Sequence, residues 1–163
     1  MNANSQFRPE LLAPLLADLA AQERFGEMPV RGTSMYPSLL NGDRVRVVPT
    51  TVEEVRIGDV VVRLGEPGPM IHRVVGWWWT QGGWRMLTKG DRSRWFDPPL
   101  HPGHLVGRVV ALVRDGHVRP LEGVGARLRG RGRAAASFTV GAMWEAWDRG
   151  CRAARRWLGS PEG

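Results

Sequence analysis

Ser34 lies in a short segment whose residue types suit a nucleophile on an exposed turn. The segment, residues 32–39, reads Gly-Thr-Ser-Met-Tyr-Pro-Ser-Leu. Its glycine permits a tight turn and its proline stiffens the chain behind the turn, while Met35 and Leu39 can anchor the loop from below. On such a turn the hydroxyl and the backbone N–H of Ser34 face open space. The segment therefore predicts a nucleophilic serine, although an isolated Gly-x-Ser is more often an ordinary turn.

The order of motifs around Ser34 resembles that of a known enzyme superfamily. A small residue and Ser-Met-x-Pro-x-Leu are followed by Asn-Gly-Asp at residues 41–43 and Gly-Asp-Val-Val-Val at residues 58–62. This order is similar to the type I signal peptidase superfamily, which includes membrane-bound signal peptidases and self-cleaving repressors of the LexA type. The resemblance covers roughly residues 28–112. It implies a nucleophile and oxyanion loop comprising Gly32, Thr33, Ser34 and Met35.

The same resemblance implies the general base. The superfamily mostly uses a lysine just before an Arg-Val pair, and this chain has His72 before Arg73 and Val74. Histidine at that position resembles the catalytic subunit of archaeal and eukaryotic signal peptidases. A neutral imidazole can accept the serine proton at neutral pH, whereas an arginine stays protonated. Lys89, the single lysine of the chain, is the alternative base.

A carboxylate is implied by the motif Thr-Lys-Gly-Asp at residues 88–91. In the branch that this chain resembles, a second aspartate follows six residues after the motif's aspartate, and Asp97 has that spacing from Asp91. The resemblance implies that Asp97 orients His72, so the predicted catalytic set is Ser34, His72 and Asp97. A triad is defined by geometry and not by chain order. Because Asp97 precedes two prolines, an ordinary turn residue is the alternative.

Two positions depart from the pattern of the superfamily. Many bacterial signal peptidases carry a serine two residues before the nucleophile, where its hydroxyl helps to bind the oxyanion, but this chain has Gly32. The oxyanion would then depend mainly on the Ser34 backbone N–H, and a missing donor costs on the order of 10²–10³ in rate. The asparagine that usually follows the last Gly-Asp is replaced by Arg92.

Length and composition indicate one domain with appendages. The chain has 163 residues, and its single cysteine rules out an internal disulfide. Its net charge of +7 is concentrated in residues 124–163, which carry eight arginines against three acidic residues. Nucleic-acid binding is not expected, since no recognition motif accompanies the arginines. No cofactor is predicted, and His101 and His104 are interpreted as loop histidines because no further metal-ligand residues accompany them.

The hydrophobic pattern predicts a mostly β domain flanked by helices. The predicted units are a short N-terminal helix (1–26), a signal-peptidase-like β-ribbon or partly open barrel (27–121), a Gly/Arg linker (122–136) and an amphipathic C-terminal helix (137–163). Strands are expected at residues 44–48, 59–64, 71–79, 84–88, 105–114 and 117–121. Hairpin turns are expected at Gly82-Gly83 and Asp115-Gly116.

Membrane contact is an open question at the level of sequence. No stretch of about 18 apolar residues exists, so neither a transmembrane helix nor a secretory signal peptide is predicted, which favours a cytoplasmic or peripheral membrane location. The consecutive tryptophans Trp77, Trp78 and Trp79 suit either a membrane interface or packing against the tail helix. That helix, rich in arginine and tryptophan, suits either anionic lipid or docking on its own domain.

The predicted function is a serine endopeptidase of the signal peptidase type that cleaves protein or peptide precursors after small residues. Two alternatives stay open: a non-catalytic adaptor that binds peptide or membrane, and a self-cleaving peptidase. Self-cleavage after Ala136, in the predicted linker, would release the tail helix. The sequence predicts no oligomeric state.

Overall fold

The computed structural model describes residues 26–65, 68–121 and 124–158. Seven strands precede one long helix, α1 (Val124–Leu158). The strands are β1 (Gly26–Pro29), β2 (Arg44–Val48), β3 (Val60–Arg63), β4 (Met70–Thr80), β5 (Gly83–Lys89), β6 (Leu105–Arg114) and β7 (His117–Pro120). The N-terminal helix predicted for residues 1–26 lies outside the described residues, except that Gly26 begins β1.

The strands form one antiparallel sheet that is not closed. Its order is β1-β2-β6-β3-β4-β5, and β7 pairs with the C-terminal part of β6. The prediction of a mostly β domain is confirmed, and each predicted strand is present to within one residue at its ends. The turn predicted at Asp115-Gly116 is present, with positive φ at both residues. The other predicted turn is displaced by one residue to Gln81-Gly82, and Gly83, with positive φ, begins β5. Within the described residues, no helix is long and apolar enough to cross a membrane.

The central strand β3 is buried on both faces. Its side chains alternate, so Val60 and Val62 pack with Met35 and Leu39 in one apolar cluster. Val61 points the other way and joins a second cluster with Val74, Met86 and Leu100. Burial on both faces explains why this strand is an apolar run instead of an alternating pattern.

The loop between β1 and β2, which carries Ser34, is anchored from below as the sequence predicts. Met35 and Leu39 are 2% and 1% exposed. The ends of the loop are joined because the Val30 backbone N–H donates to the Asp43 carbonyl at 2.8 Å. Gly32 has a φ of +83°, a conformation that favours glycine.

Helix α1 begins inside the segment predicted to be a linker, so that prediction is wrong. The segment is rich in arginine and alanine, which favour a helix, and one of its glycines, Gly130, allows close packing on the sheet. A Cβ on Gly130 would lie 2.7 Å from the Gly58 carbonyl oxygen. Ala134 is fully buried against the sheet. Ala136, the predicted self-cleavage position, therefore lies in a docked helix and not in a flexible linker.

Asp43 closes the loop that carries Ser34. Its carboxylate accepts hydrogen bonds from Arg114 Nε and Nη2 at 2.8 and 2.7 Å, and from the Leu40 backbone N–H at 2.6 Å. The hydrogen bonds from Arg114 hold the pKa of Asp43 below its ordinary value. The folded state therefore favours the ionised carboxylate. The resulting stabilisation is present above the ordinary aspartate pKa of about 3.9 and is lost as the pH falls through the lower pKa that Asp43 has in the folded protein.

We expect Asp43→Asn to lower the free energy of unfolding at pH 7 by about 1–3 kcal/mol, because Arg114 and Leu40 lose a charged acceptor. Urea denaturation between pH 7 and pH 2 measures this loss, which should shrink at the acid end, where the wild-type carboxylate also becomes protonated. The exposed neighbour Asp115 provides the control, and Asp115→Asn should change stability by less than about 0.5 kcal/mol. Equal losses in the two variants would contradict the role of Asp43.

Candidate active site

His72 lies near the start of β4, on a face of the sheet that it shares with two other buried polar residues. It is opposite Val61 of β3, and Val74 is opposite Thr88 of β5. Because alternate residues of a strand share a face, Arg63, His72 and Thr88 project from the same side. All three are buried. The pairing of β3, β4 and β5 therefore brings three polar side chains together on one face of an otherwise apolar sheet.

The three side chains of the predicted catalytic set form one chain of hydrogen bonds. Ser34 Oγ lies 3.1 Å from His72 Nε2, and His72 Nδ1 lies 2.6 Å from Asp97 Oδ2. A carboxylate can only accept, so Nδ1 of His72 carries the proton, and Nε2 of the neutral ring is left as the acceptor for the Ser34 hydroxyl. This tautomer is the one in which a histidine can take a proton from a serine.

Two further residues position Asp97, and neither was predicted from the sequence. Thr88 Oγ1 donates to Asp97 Oδ2 at 2.6 Å, and the Thr88 carbonyl accepts from the Asp97 backbone N–H at 2.9 Å. Arg63 Nη1 donates to Thr88 Oγ1 at 2.9 Å and lies 3.5 Å from Asp97 Oδ2. Burial lowers the pKa of Arg63, and the nearby Asp97 carboxylate partly offsets this. Two features of the sequence could have identified these residues: Thr88 belongs to the Thr-Lys-Gly-Asp motif, and Arg63 ends an otherwise apolar strand.

Arg73, the residue after His72, joins two neighbouring segments. Its Nε and Nη2 donate to the two oxygens of Asp91 at 2.7 Å each, and Nη2 also lies 3.1 Å from Ser38 Oγ. Ser38 in turn donates to Asp91. The Arg73 and Asp91 side chains are only 5% and 7% exposed. This buried ion pair ties the strand of His72 to the loop that carries Ser34 and to the segment that leads to Asp97.

Residues 90–92 pack directly against Ser34. The Arg92 backbone N–H donates to the Ser34 carbonyl at 2.7 Å. A Cβ on Gly90 would lie 2.8 Å from the same carbonyl oxygen and 3.0 Å from Ser34 Cβ. The glycine of the Thr-Lys-Gly-Asp motif is therefore required for this close approach. Arg92 thus contributes its backbone to the support of Ser34.

Ser34 and His72 lie at a cleft of about 690 Å³. One wall is the end strand β1 with the residues that follow it, and β1 pairs only with β2 among the described strands. The other wall is the start of β4. There Met70 and Ile71 pair with β3 on one side, but pairing with β5 on the other side begins only at Arg73. An extended peptide can hydrogen-bond to such strand edges. Most of the lining is apolar, including Met28, Val30, Met70 and Ile71.

The Ser34 backbone N–H is the candidate oxyanion donor. It donates no hydrogen bond to another group in the part of the chain that the structure describes. Gly32 adds no side-chain donor, and a Cβ at that position would meet nothing within 4 Å. The space beside Gly32 is therefore open, and the Ser34 backbone N–H is the available main-chain donor on this loop.

Lys89, the alternative base, is directed to α1 and not to Ser34. Its side chain is fully buried, and Nζ donates to Ser137 Oγ at 2.9 Å, with the Gly90 carbonyl oxygen at 3.5 Å. Burial lowers the pKa of Lys89, although the nearby Asp91 and Asp97 carboxylates oppose the effect. The hydrogen bond between β5 and α1 gives Lys89 a structural role.

His101 and His104 lie at the short turn before β6. Nδ1 of His101 accepts a hydrogen bond from the Gly103 backbone N–H at 3.2 Å, so this ring caps the turn. The two rings are 6.0 Å apart. Within the described ranges, no group of three or more His, Cys, Asp or Glu residues is arranged to hold a metal ion.

Comparison with known proteins yields no match, either to a protein-family model or to a curated protein sequence.

We expect the stability of the wild type relative to Lys89→Met to rise with pH. Because the pKa of Lys89 is lowered by folding, the folded protein binds fewer protons than the unfolded chain over a window of pH. That window runs from the Lys89 pKa of the folded protein to the ordinary lysine pKa of about 10.4. Stability therefore increases through that window, by at most about 1.4 kcal/mol per pH unit. Methionine fills similar space without titrating, so urea denaturation of both proteins from pH 7 to pH 10 isolates the effect. A difference that does not change with pH would contradict burial of the ammonium group.

Proposed function

We propose that this protein is a serine endopeptidase of the signal peptidase type, with Ser34 as nucleophile and His72 as general base. The observation that carries the proposal is the hydrogen-bond chain from Ser34 Oγ through His72 to Asp97 at the edge of a cleft. The resemblance of the sequence motifs to that superfamily is a second line of support. The proposal includes a signal-peptidase-like arrangement of the open sheet.

In the first half of the reaction, Ser34 Oγ attacks the carbonyl carbon of a peptide bond. The serine proton moves to His72 Nε2 as the new Oγ–C bond forms. Asp97, held by Thr88, stabilises the resulting imidazolium through Nδ1. His72 then gives the proton to the leaving amine, the peptide C–N bond breaks, and an acyl-enzyme remains on Ser34.

In the second half, water takes the place of the amine. His72 accepts a proton from the water as its oxygen bonds to the acyl carbon. The bond between that carbon and Ser34 Oγ then breaks as His72 returns the proton to Oγ. In both halves the negative oxygen of the tetrahedral intermediate faces the Ser34 backbone N–H. Hydrolysis is complete when the new carboxylate leaves the cleft.

The substrate is proposed to be an extended segment of a protein or peptide. Edges of β1 and of the start of β4 can pair with its backbone, which selects an unfolded strand and not a folded surface. The family resemblance implies small residues such as alanine next to the cleaved bond. Secreted precursors, leader peptides of modified peptides and a dedicated partner protein all satisfy these requirements.

The second candidate is a peptide-binding adaptor without catalysis. Gly32 favours it, because the site then has no side-chain oxyanion donor on the nucleophile loop. An adaptor needs the cleft and its strand edges but not the hydrogen bond between Ser34 and His72.

A fluorophosphonate probe should label the wild type at Ser34, whereas Ser34→Ala and His72→Ala should lose labelling and peptidase activity while remaining folded. The physical reason is that the probe, like a peptide, requires a serine activated by an adjacent base. Labelling is measured by intact mass, and folding by circular dichroism.

Two controls make this test specific. Ser93→Ala removes a nearby serine that lies outside the hydrogen-bond chain, and Lys89→Met removes the alternative base; both should keep labelling. No labelling of the wild type would favour the adaptor. Loss of labelling in folded Lys89→Met, to the level of Ser34→Ala, would contradict the role of His72.

We also propose peripheral contact with an anionic membrane through the tip of the β4–β5 hairpin. Trp78, Trp79 and Trp84 are 57%, 63% and 61% exposed. Trp79 and Trp84 are cross-strand partners on one face, whereas Trp78 lies opposite Arg85 and projects from the other face. Tryptophans on both faces suit insertion of the tip into a membrane interface better than docking on a flat surface. Residues 70–90 contain no acidic residue that would oppose it.

The tail helix makes a smaller contribution to this proposed contact. Trp144 packs against Trp95, with Arg94 over its ring, so it belongs to the docked side of α1. Val140, Met143 and Trp147 are exposed, and they share a broad face of the helix with Trp144. Because Trp144 is engaged by the domain, only these three residues of that face are left to contact a membrane.

We expect the double variant Trp78→Ser/Trp79→Ser to bind anionic vesicles roughly tenfold more weakly than the wild type, because two large apolar groups no longer enter the interface. Co-sedimentation with vesicles of phosphatidylcholine and phosphatidylglycerol measures the binding. Trp95→Ser is the matched control, since this tryptophan is 47% exposed but lies away from the hairpin tip. Equal loss in the control, or no binding by the wild type, would refute the proposal.

A further inference from the structure

A second cavity, of about 250 Å³, lies between α1 and the segment that precedes Asp97. Residues from three parts of the chain line it. The segment supplies Arg92, Ser93 and Arg94, while α1 supplies Arg133 and Ser137. The nucleophile loop completes the wall through Ser38. The cavity is separate from the cleft at Ser34 and His72.

The cavity carries an excess of positive charge. Within the described ranges, no carboxylate forms an ion pair with Arg92, Arg94 or Arg133. The one acidic residue in the lining, Asp91, has its two oxygens bonded to Arg73 at 2.7 Å each and accepts a further hydrogen bond from Ser38. Three exposed arginines therefore line a space whose one lining carboxylate is already neutralised.

Two of these guanidinium groups are held in place by aromatic rings. Arg94 lies over the ring of Trp144 at 4.7 Å from its centroid, and Arg92 over that of Tyr36 at 5.9 Å. An aromatic ring below a guanidinium restricts the movement of the arginine side chain. The N–H donors, which lie in the plane of the guanidinium, are not used by this contact. The donors stay available to a ligand, and less side-chain freedom is lost when it binds.

Ser137 adds a buried donor. Lys89 Nζ has no lone pair, so it must donate to Ser137 Oγ, and the serine's own proton is left for another acceptor. That proton is donated to no acceptor within the described part of the chain. Ser137 is 6% exposed and lines the cavity. The fully buried ammonium of Lys89 also adds positive potential behind the hydroxyl.

We propose that this cavity binds a phosphate-type dianion, either free phosphate or the phosphate monoester of a lipid headgroup. Guanidinium forks from two elements and a serine hydroxyl match the several acceptor oxygens of such an anion. The volume holds one phosphate group with some water. The bound anion links α1 to the segment whose Arg92 backbone N–H supports Ser34, so it stabilises the docked helix. This site does not rest on the proposed peptidase activity.

Phosphate binding is measured on the full chain by isothermal titration calorimetry and by thermal unfolding, with ionic strength held constant by chloride. We expect saturable binding and a rise in melting temperature with phosphate but not with chloride. Arg133→Gln should weaken phosphate binding roughly tenfold or more, because one charged hydrogen-bond donor is lost. Arg129→Gln is the matched control, being an exposed arginine of the same helix outside the cavity lining.

Equal binding by Arg133→Gln and Arg129→Gln, or no saturable phosphate binding by the wild type, would overturn the proposal. A vesicle arm distinguishes the two sources of the anion. If phosphatidate vesicles bind the wild type more strongly than Arg133→Gln, and phosphate competes with them, the site accepts a lipid headgroup. If vesicle binding is the same in both while phosphate binding differs, the site accepts free phosphate.

Discussion

The buried ion pair between Arg73 and Asp91 holds the candidate site together. Arg73 follows His72 on β4, Asp91 begins the segment that leads to Asp97, and Ser38, which bonds to both, belongs to the nucleophile loop. Each segment that supplies one of the three aligned side chains is thus tied to the same group. Removing one partner of such a pair costs about 3–5 kcal/mol, because the other charge stays buried without compensation. The spacing of Ser34, His72 and Asp97 depends on this interaction.

Helix α1 depends on a different kind of contact, the close approach of small residues. Gly130 lies against Gly58, Ala134 is buried in the sheet, and a Cβ on Gly141 would lie 2.7 Å from Phe96. Glycine lowers helix propensity by about 1 kcal/mol, yet it lets the helix axis approach the sheet. Lys89 adds one polar contact, to Ser137. The helix consequently covers the back of the segment that carries Asp97 and forms the wall of the arginine-lined cavity.

The polar groups of the site are organised in layers. His72 contacts Ser34 and Asp97, Asp97 is held by Thr88, and Thr88 is held by Arg63. Arg63, Thr88 and His72 are buried and Asp97 is only partly exposed, so most of these hydrogen bonds replace ones to water that the groups would otherwise lose. Such a chain fixes the orientation of the imidazole. It also explains the presence of an arginine and a threonine on an apolar sheet face.

The sequence by itself determined strands β2 to β7 and the order of the motifs, because alternation of apolar residues and turn glycines are local properties, whereas β1 was not predicted. It also singled out Ser34, His72 and Asp97, through the resemblance of those motifs to a known superfamily. Only the tertiary structure revealed Arg63 and Thr88 as supports of Asp97, since their proximity depends on strand register across β3, β4 and β5. Only the tertiary structure also showed that α1 begins at Val124. It likewise showed that Lys89 bonds to Ser137 of α1 and not to Ser34. These features arise from contacts between residues distant in the chain, which local propensity does not encode.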